Sequence, residues 1–498
     1  MWHQTREKIL VLVFLFFFVY AGYGETYVSG DVSGVWEASG SPYYVTGELH
    51  VPTDDSLRIM PGCSVIFQGH YKFCVDSSAV LKAIGTETDS IIFTAENTVS
   101  GWWGIRFIHS SEACTLEYCR IQYGRALGDE DDIHGGGIYC DHSNPYISKN
   151  TITQNLAEWG GGGIYCCYSE PVITGNTISN NSAYWYGGGI YLSDSNPKIF
   201  GNKIDSNDVS GGSAEGGGIY LWNSNPEMTN NVIANNIASG ENSKGGGICS
   251  SSSNPIILNN DIVGNRVMSS GHHSAGGGLY CATSEPVLIN SVFSENSASA
   301  GNEIYLFFWS TPSRVFISHC NINPEGCFIE SGGEIIWGDG NINEDPMFVS
   351  PADFHLQSGS PCIDAGAESV YVALWDTTIF APTIDFEGGI RPWEEGWDIG
   401  ADEYGTSAIQ QHRQGIPKSL LINVYPNPFN SACRISAPPG ATVEIFNILG
   451  NLVWSHTTAP SGSSETVWTP DKSTGSGVYL VRATAGKQSA TRKILYLK

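Results

Sequence analysis

Between residues 135 and 310 the hydrophobic positions keep neither a helical nor a simple strand period; they recur in a frame of 25 to 31 residues. Gly-Gly-Gly-(Ile/Leu) opens the frame at Gly135, Gly161, Gly187, Gly216, Gly245 and Gly276, and a degenerate copy, Gly301-Asn302-Glu303-Ile304, follows. A proline stands seven residues after the Ile or Leu in six copies (Pro145, Pro171, Pro197, Pro226, Pro255, Pro286) and eight after it in the last (Pro312). Two residues past the proline lie Ile147, Ile173, Ile199, Met228, Ile257 and Leu288; seven past it lie Ile152, Ile178, Ile204, Ile233, Ile262 and Phe293. Asparagine occupies the fifth place (Asn150, Asn176, Asn202, Asn231, Asn260, with Ser291 the exception) and the tenth (Asn155, Asn181, Asn207, Asn236, Asn265, Asn296).

Each frame thus predicts three short strands separated by turns. Strands this short, with one or two inward residues, cannot bury a face alone and must stack on the next copy. Stacking sets equivalent residues ~4.8 Å apart, so the asparagines form ladders whose amides bond above and below while tolerating turn geometry. The expected fold is all-β: a right-handed, three-sided parallel β-helix. The missing leucine pattern excludes leucine-rich repeats, and the short period excludes propellers. In Gly-Gly-Gly-Ile-Tyr-Cys, alternation sends Ile inward, Tyr outward and Cys inward. Cys140, Cys166, Leu192, Leu221 and Cys281 then share one buried column, interrupted by Ser250. A Cys140–Cys166 disulfide is within reach at rung spacing. The outward column Tyr139, Tyr165, Tyr191, Tyr220, Tyr280 and Tyr305 reads as structural stacking, interrupted by Cys249.

The repeat fixes the expected domains. Residues 1–24 read as a signal peptide: Arg6 and Lys8, an apolar run from Ile9 to Tyr20, then Gly22 and Gly24. Residues 25–130 are the N-terminal cap and first coils, 131–330 the regular repeats, and 331–405 a closing segment. Residues 406–422 are a linker, and from 423 the texture changes to short alternating strands such as Val443–Leu449 and Gly477–Arg482. Net charge is −26 from 24 basic and 50 acidic residues, which argues against nucleic acid and anionic membranes. Removing Arg6, Lys8 and Glu7 with the leader leaves 22 against 49, or −27. Thirteen cysteines suit an exported chain, and an odd number leaves at least one thiol free or paired between molecules.

Residues 27–405 resemble the parallel β-helix proteins of the pectin-lyase-like superfamily, and the GGGIY and GNEIY phrases are similar to repeats of polymorphic outer-membrane proteins. The phrases Asp345–Phe348, Phe354–Leu356, Ser360–Gly366, Arg391-Pro392 and Asp398–Tyr404 resemble the end of exported β-helix proteins with interchangeable anchors. Tyr425, Pro426, Asn427 and Pro428, with Gly477, Tyr479 and the terminal Lys498, resemble a C-terminal sorting domain of the type IX secretion system. That resemblance implies a small β-sandwich, the secretion machinery as partner, and passage across the outer membrane to the surface or medium.

Candidate chemistry is sparse. From Gly135 to Ser310 the only basic residues are Lys149, Lys198, Lys203, Lys244 and Arg266, so the base and calcium-carboxylate set that the resemblance to lyases would require is not evident. Asp141-His142 resembles a fragment of a lyase phrase without its basic motif. Glycosidases need two carboxylates about one bond; Asp131-Asp132 lacks the companion motifs of that fold's hydrolases. Asp129, Asp131 and Asp132 form either a solvated acidic loop or a calcium site, since clustered carboxylates suit a hard cation. In the loops before the glycine triplets, Trp159, Tyr184 and Trp185 should lie side by side as a platform for sugar rings or as a lid over the core edge. His272-His273 reads as a solvated pair. The expected function is a monomeric exported adhesin or carbohydrate-binding surface protein; the alternatives are a polysaccharide lyase or glycosidase with a divergent site, and a structural surface component.

Overall fold

The computed structural model describes residues 25–405 except 129, 270–273, 309–310, 331 and 394. It also describes 423–498 except 426–430, 438–440, 448–451, 459–464, 471–473, 486–487 and 497; the side chains at 130, 131 and a few further positions are likewise outside it. The expected signal peptide and linker therefore lie outside the described residues. The chain divides into two compact units, Met1–Ala408 and Ile409–Lys498.

The first unit is a parallel β-helix. Strands begun by the glycine triplets pair coil to coil in unbroken register, Ile138↔Ile164↔Ile190↔Ile219↔Ile248↔Leu279↔Ile304. The strands at proline plus two form a 12-stranded parallel sheet, and those at proline plus seven stack likewise, Ile152↔Ile178↔Ile204↔Ile233↔Ile262↔Phe293. A fourth, short column of six strands, from Arg125–Ala126 to Arg266–Ser269, adds a side that the three-strand frame did not predict. It follows the second asparagine, whose turn leaves just enough chain for Ala157, Ala183 and Ala238 to point inward and be buried.

The interior columns are apolar and fully buried, and the turns are held by amides. Asn181 Oδ1 accepts both the backbone N–H (3.1 Å) and the side-chain N–H (2.9 Å) of Asn155, while its own Nδ2 donates to the Ile152 carbonyl (2.9 Å) and to Asn207 Oδ1 (3.0 Å). The ladder through Asn150, Asn176, Asn202, Asn231 and Asn260 has the same pattern. A third, buried ladder links Ser143, Ser169, Ser195, Ser224 and Ser253, each backbone N–H donating to the next hydroxyl at 2.9–3.0 Å. Ser250, the break in the Cys/Leu column, satisfies its buried hydroxyl by donating to the Ser253 carbonyl at 3.0 Å. All thirteen cysteines are free, so Cys140 and Cys166 are register neighbours without a disulfide.

Glycine is obligatory where the coil enters its strand. Gly161 has φ +69°, and a Cβ there would lie 2.6 Å from the Ile164 carbonyl; one on Gly163 would lie 2.6 Å from the Gly189 carbonyl of the next coil. Neither position leaves room for a side chain, so each triplet lets successive coils approach backbone to backbone.

The closing segment does more than end the solenoid. It runs back along the flank, where Phe354, Leu356, Cys362, Ile399 and Ala401 pack on Val232, Ala234, Val263 and Val292. Asn259 donates to the Asp398 and Gly400 carbonyls, and Asp261 Oδ1 accepts from the Ala401 N–H at 3.2 Å. The buried Arg391 guanidinium pairs with Glu403 at 3.1 Å and donates to the Gly400, Ala401 and Asp402 carbonyls.

The second unit is small and antiparallel: a three-stranded sheet (Asn423–Tyr425, Cys433–Ser436, Glu465–Trp468) and a four-stranded one (Thr442–Asn447, Leu452–Thr457, Gly477–Ala485, Gln488–Tyr496). Its core includes Ile435, Val443, Trp468, Tyr479 and Ile494.

Candidate functional site

The loops bring Trp159 and Trp185 side by side. Trp185 N–H donates to the Trp159 carbonyl at 3.1 Å, which fixes the two loops in register, and the indole centroids lie 6.0 Å apart at 42°. Tyr186 stands 5.8 Å from Trp159. Trp159 is 39% exposed; Tyr184, 49% exposed, is not among the rings that pack with Trp159, which include Trp185 and Tyr186.

Beside it runs the tyrosine column. Tyr139, Tyr165, Tyr191, Tyr220 and Tyr280 point outward yet are buried, because each is covered by neighbouring rings and, beside Cys249, by Tyr186 against Tyr220 and Lys244 over Tyr280. Centroid spacings are 5.3, 5.0 and 5.0 Å from Tyr139 to Tyr220, and 5.5 Å from Tyr280 to Tyr305. Cys249 holds the place between Tyr220 and Tyr280, and one ring is therefore missing from the stack. A cavity of about 420 Å³ lies there. Tyr220 and Tyr280 are two rungs apart, ~9.6 Å from the strand spacing, and a ring in optimal contact with both would take up about 7–8 Å.

The residue immediately before each glycine triplet supplies the polar wall. Tyr186, Glu215 and Lys244 are bridge partners on successive coils. Lys244 donates to Glu215 at 2.9 Å, its ammonium lies 5.4 Å over the Tyr280 ring, and the Cys249 thiol reaches Glu215 at 3.8 Å. Burial alone would pull Lys244 down, but the charge and hydrogen bond of Glu215 hold it above its ordinary range. Burial, then the Glu215 charge, pushes the Cys249 thiol well up, so it is a neutral floor rather than a nucleophile. Trp222, 46% exposed, stands at the mouth. Among its described lining residues the cavity holds one carboxylate, Glu215, which is already paired. It can accept and donate hydrogen bonds between two aromatic walls; a facing pair of carboxylates for glycoside cleavage is not found among those residues.

The remaining candidates fall elsewhere. Asp129 and the side chain of Asp131 lie outside the described residues, as do His272 and His273. Asp132 accepts from Lys72 at 2.7 Å, so its carboxylate already has a cation. Asp141 and His142 pair at 2.7 Å and meet His109 of the preceding coil; the three are a group of potential metal ligands that sequence reasoning missed. Of the sorting-signal residues, Tyr425 ends a strand, Gly477 begins one, and Pro426, Asn427 and Pro428 lie outside the described residues. The buried Tyr479 donates to the Gly475 carbonyl at 2.7 Å, and the Lys498 N–H to Ser476 Oγ at 2.7 Å.

Two family models match. Residues 103–240 match the right-handed beta helix region, and residues 423–496 match the secretion system C-terminal sorting domain. No curated protein matches the chain. The first match agrees with the pectin-lyase-like architecture. The second marks a chain handled by the type IX secretion machinery and delivered to the cell surface or extracellular space.

Proposed function

We propose that this exported β-helix protein binds neutral glycans at the cell surface or in the medium, as an adhesin or carbohydrate-binding surface protein, through the face running from Trp159 and Trp185 to the gap at Cys249. The observation that carries the reading is the cavity of about 420 Å³ over the Cys249 position, lined by Tyr186, Glu215, Tyr220, Trp222, Lys244 and Tyr280 and continuous in coil order with exposed tryptophans. Rings that stack and hydroxyls that need both donors and acceptors are the chemistry of a sugar. The balance of −26 disfavours a polyanionic chain, and Lys244 is already neutralised.

The test is retention of the purified protein on a panel of immobilised neutral and acidic polysaccharides, with the soluble products assayed alongside. Cys249→Tyr should restore the missing ring, leave the fold intact and lower retention at least tenfold, ~1.4 kcal/mol; Trp159→Ala with Trp185→Ala should weaken it further. Retention unchanged in both variants sinks the assignment of the face. New reducing ends or unsaturated products would replace binding by the lyase or glycosidase reading, and no retention on any glycan would leave a structural surface component.

A further inference from the structure

The residue after each triplet strand is a tight turn with left-handed backbone: His142 (φ 45°), Tyr168 (47°), Asp194 (49°), Asn223 (48°), Ser252 (51°) and Thr283 (54°), with His109 (50°) at the same place one coil earlier. The register is fixed, since Ile108 pairs with Asp141 and the His109 N–H donates to the Asp141 carbonyl at 2.9 Å. Asparagine and aspartate suit this conformation, and the other coils show that several side chains are accepted. The turn therefore does not explain why two imidazoles follow each other on adjacent coils.

Rung spacing stacks those imidazoles with centroids 4.7 Å apart at 26°. Asp141 Oδ1 lies 2.7 Å from His142 Nδ1. One ligand atom from each of His109, Asp141 and His142 comes within 4.8 Å of the others. A tetrahedral ion with bonds of ~2.0–2.2 Å holds its donor atoms about 3.3 Å apart. Closing that difference takes only side-chain rotation of two exposed imidazoles over a fixed backbone. The backbone positions are preset by parallel pairing, so little chain entropy is lost on closure.

We infer that His109, Asp141 and His142 form a binding site for a borderline divalent cation of the zinc class, bridging two successive coils. Two imidazoles and one carboxylate are the donor set of zinc, cobalt or nickel; calcium and magnesium require oxygen ligands throughout. Three protein ligands leave at least one position for water. The overall acidic balance raises the local concentration of cations. Asp141 pairs in register with Cys167, which packs against the tyrosine column, but the inference does not depend on glycan binding.

The experiment uses the purified full chain, stripped with a chelator and titrated calorimetrically with zinc chloride and, separately, calcium chloride. One zinc per chain is expected, with calcium giving no comparable uptake. His109→Asn and His142→Asn keep a residue that the turn accepts, as Asn223 demonstrates. Each should weaken zinc by more than the roughly 10–100-fold that loss of an outer-shell partner costs. Far-UV circular dichroism of both should match the parent. Cobalt loading gives an independent readout: visible absorption of a low-coordinate site in the parent, lost in both variants. The inference is overturned if the parent takes up no zinc, if uptake survives both substitutions, if calcium binds equally, or if His272→Asn with His273→Asn removes the uptake instead.

Discussion

Replacing Asn181 by alanine should show how much of the solenoid rests on its amide ladders. Asn181 is fully buried, and its loss removes the acceptor of the Asn155 N–H (3.1 Å) and a donor to the Ile152 carbonyl (2.9 Å). The Asn155 side-chain amide keeps its bond to the Ile121 carbonyl at 3.1 Å. One buried backbone N–H is thus orphaned at ~1–3 kcal/mol, and the Ile152 carbonyl, which stays in the parallel ladder, loses its second donor at ~0.5–1.5 kcal/mol, a loss of about 1.5–4.5 kcal/mol. That is a large share of the ~5–15 kcal/mol by which a domain is stable. Asn225 is the control: it accepts the Asn254 N–H at 2.6 Å in an otherwise identical coil-to-coil bond, but on the exposed side. Water can replace it, so Asn225→Ala should change stability by no more than ~0.5 kcal/mol. Urea unfolding followed by circular dichroism gives both differences, read from the midpoint shift at a common slope. Equal losses in the two variants, or a loss below ~1 kcal/mol for Asn181→Ala, would refute the claim that burial rather than bond count sets the value of the ladder.

Burial raises Asp261 to about 8 and Asp398 to about 6, both where the closing segment docks. Each then holds a proton in the folded state that an unfolded carboxylate releases near ~4. The resulting stabilisation is complete below that value and is lost as pH rises toward 8, at up to ~1.4 kcal/mol per pH unit and group. Limited proteolysis of 345–405 should accelerate from pH 6 to 9, and Asp261→Asn should flatten the profile; an unchanged profile would reject Asp261 as a contributor. Intact-mass measurement without reductant should return thirteen thiols, and native alkylation should reach the half-buried Cys167 before Cys140 or Cys281, which are sealed in the core; a native Cys140–Cys166 crosslink would contradict this. Deleting residues 423–498 should leave the protein in the periplasm, followed by fractionation and immunoblot; normal export would refute the sorting role.

What was legible in the chain is what repeats. The inward Ile, Cys and Leu columns and both asparagine ladders stand where the frame puts them, because in a stacked coil one residue's environment is its own equivalent one rung away. The serine ladder was written as plainly, at Ser143, Ser169, Ser195, Ser224 and Ser253, two residues before each proline. Serine is so common in turns that its constancy carried no contrast. The lateral docking of the closing segment was not legible, since the bond from Ala401 to Asp261 spans 140 positions and follows no period.

Departures from the frame are where the proposed glycan face and zinc site lie, and they become informative only once the columns are aligned in space. Cys249 is visible in the sequence as a missing tyrosine, but the opening matters because Glu215 and Lys244 occupy the column beside it, where the neighbouring coils carry Tyr186 and Ala275. His142 is visible as a histidine after a strand, but its partner His109 sits in the irregular early coils, where no repeated phrase announces the register. A strictly periodic solenoid offers the same side chains on every rung and so favours no rung for a ligand. Recognition therefore requires a rung that differs from its neighbours in a way the packing does not demand. The smaller Cys249 in an aromatic stack and the paired imidazoles in a turn that accepts Asn223 or Ser252 both meet that condition. Ser250 does not, because its hydroxyl is consumed inside the core by Ser253 and Ser284.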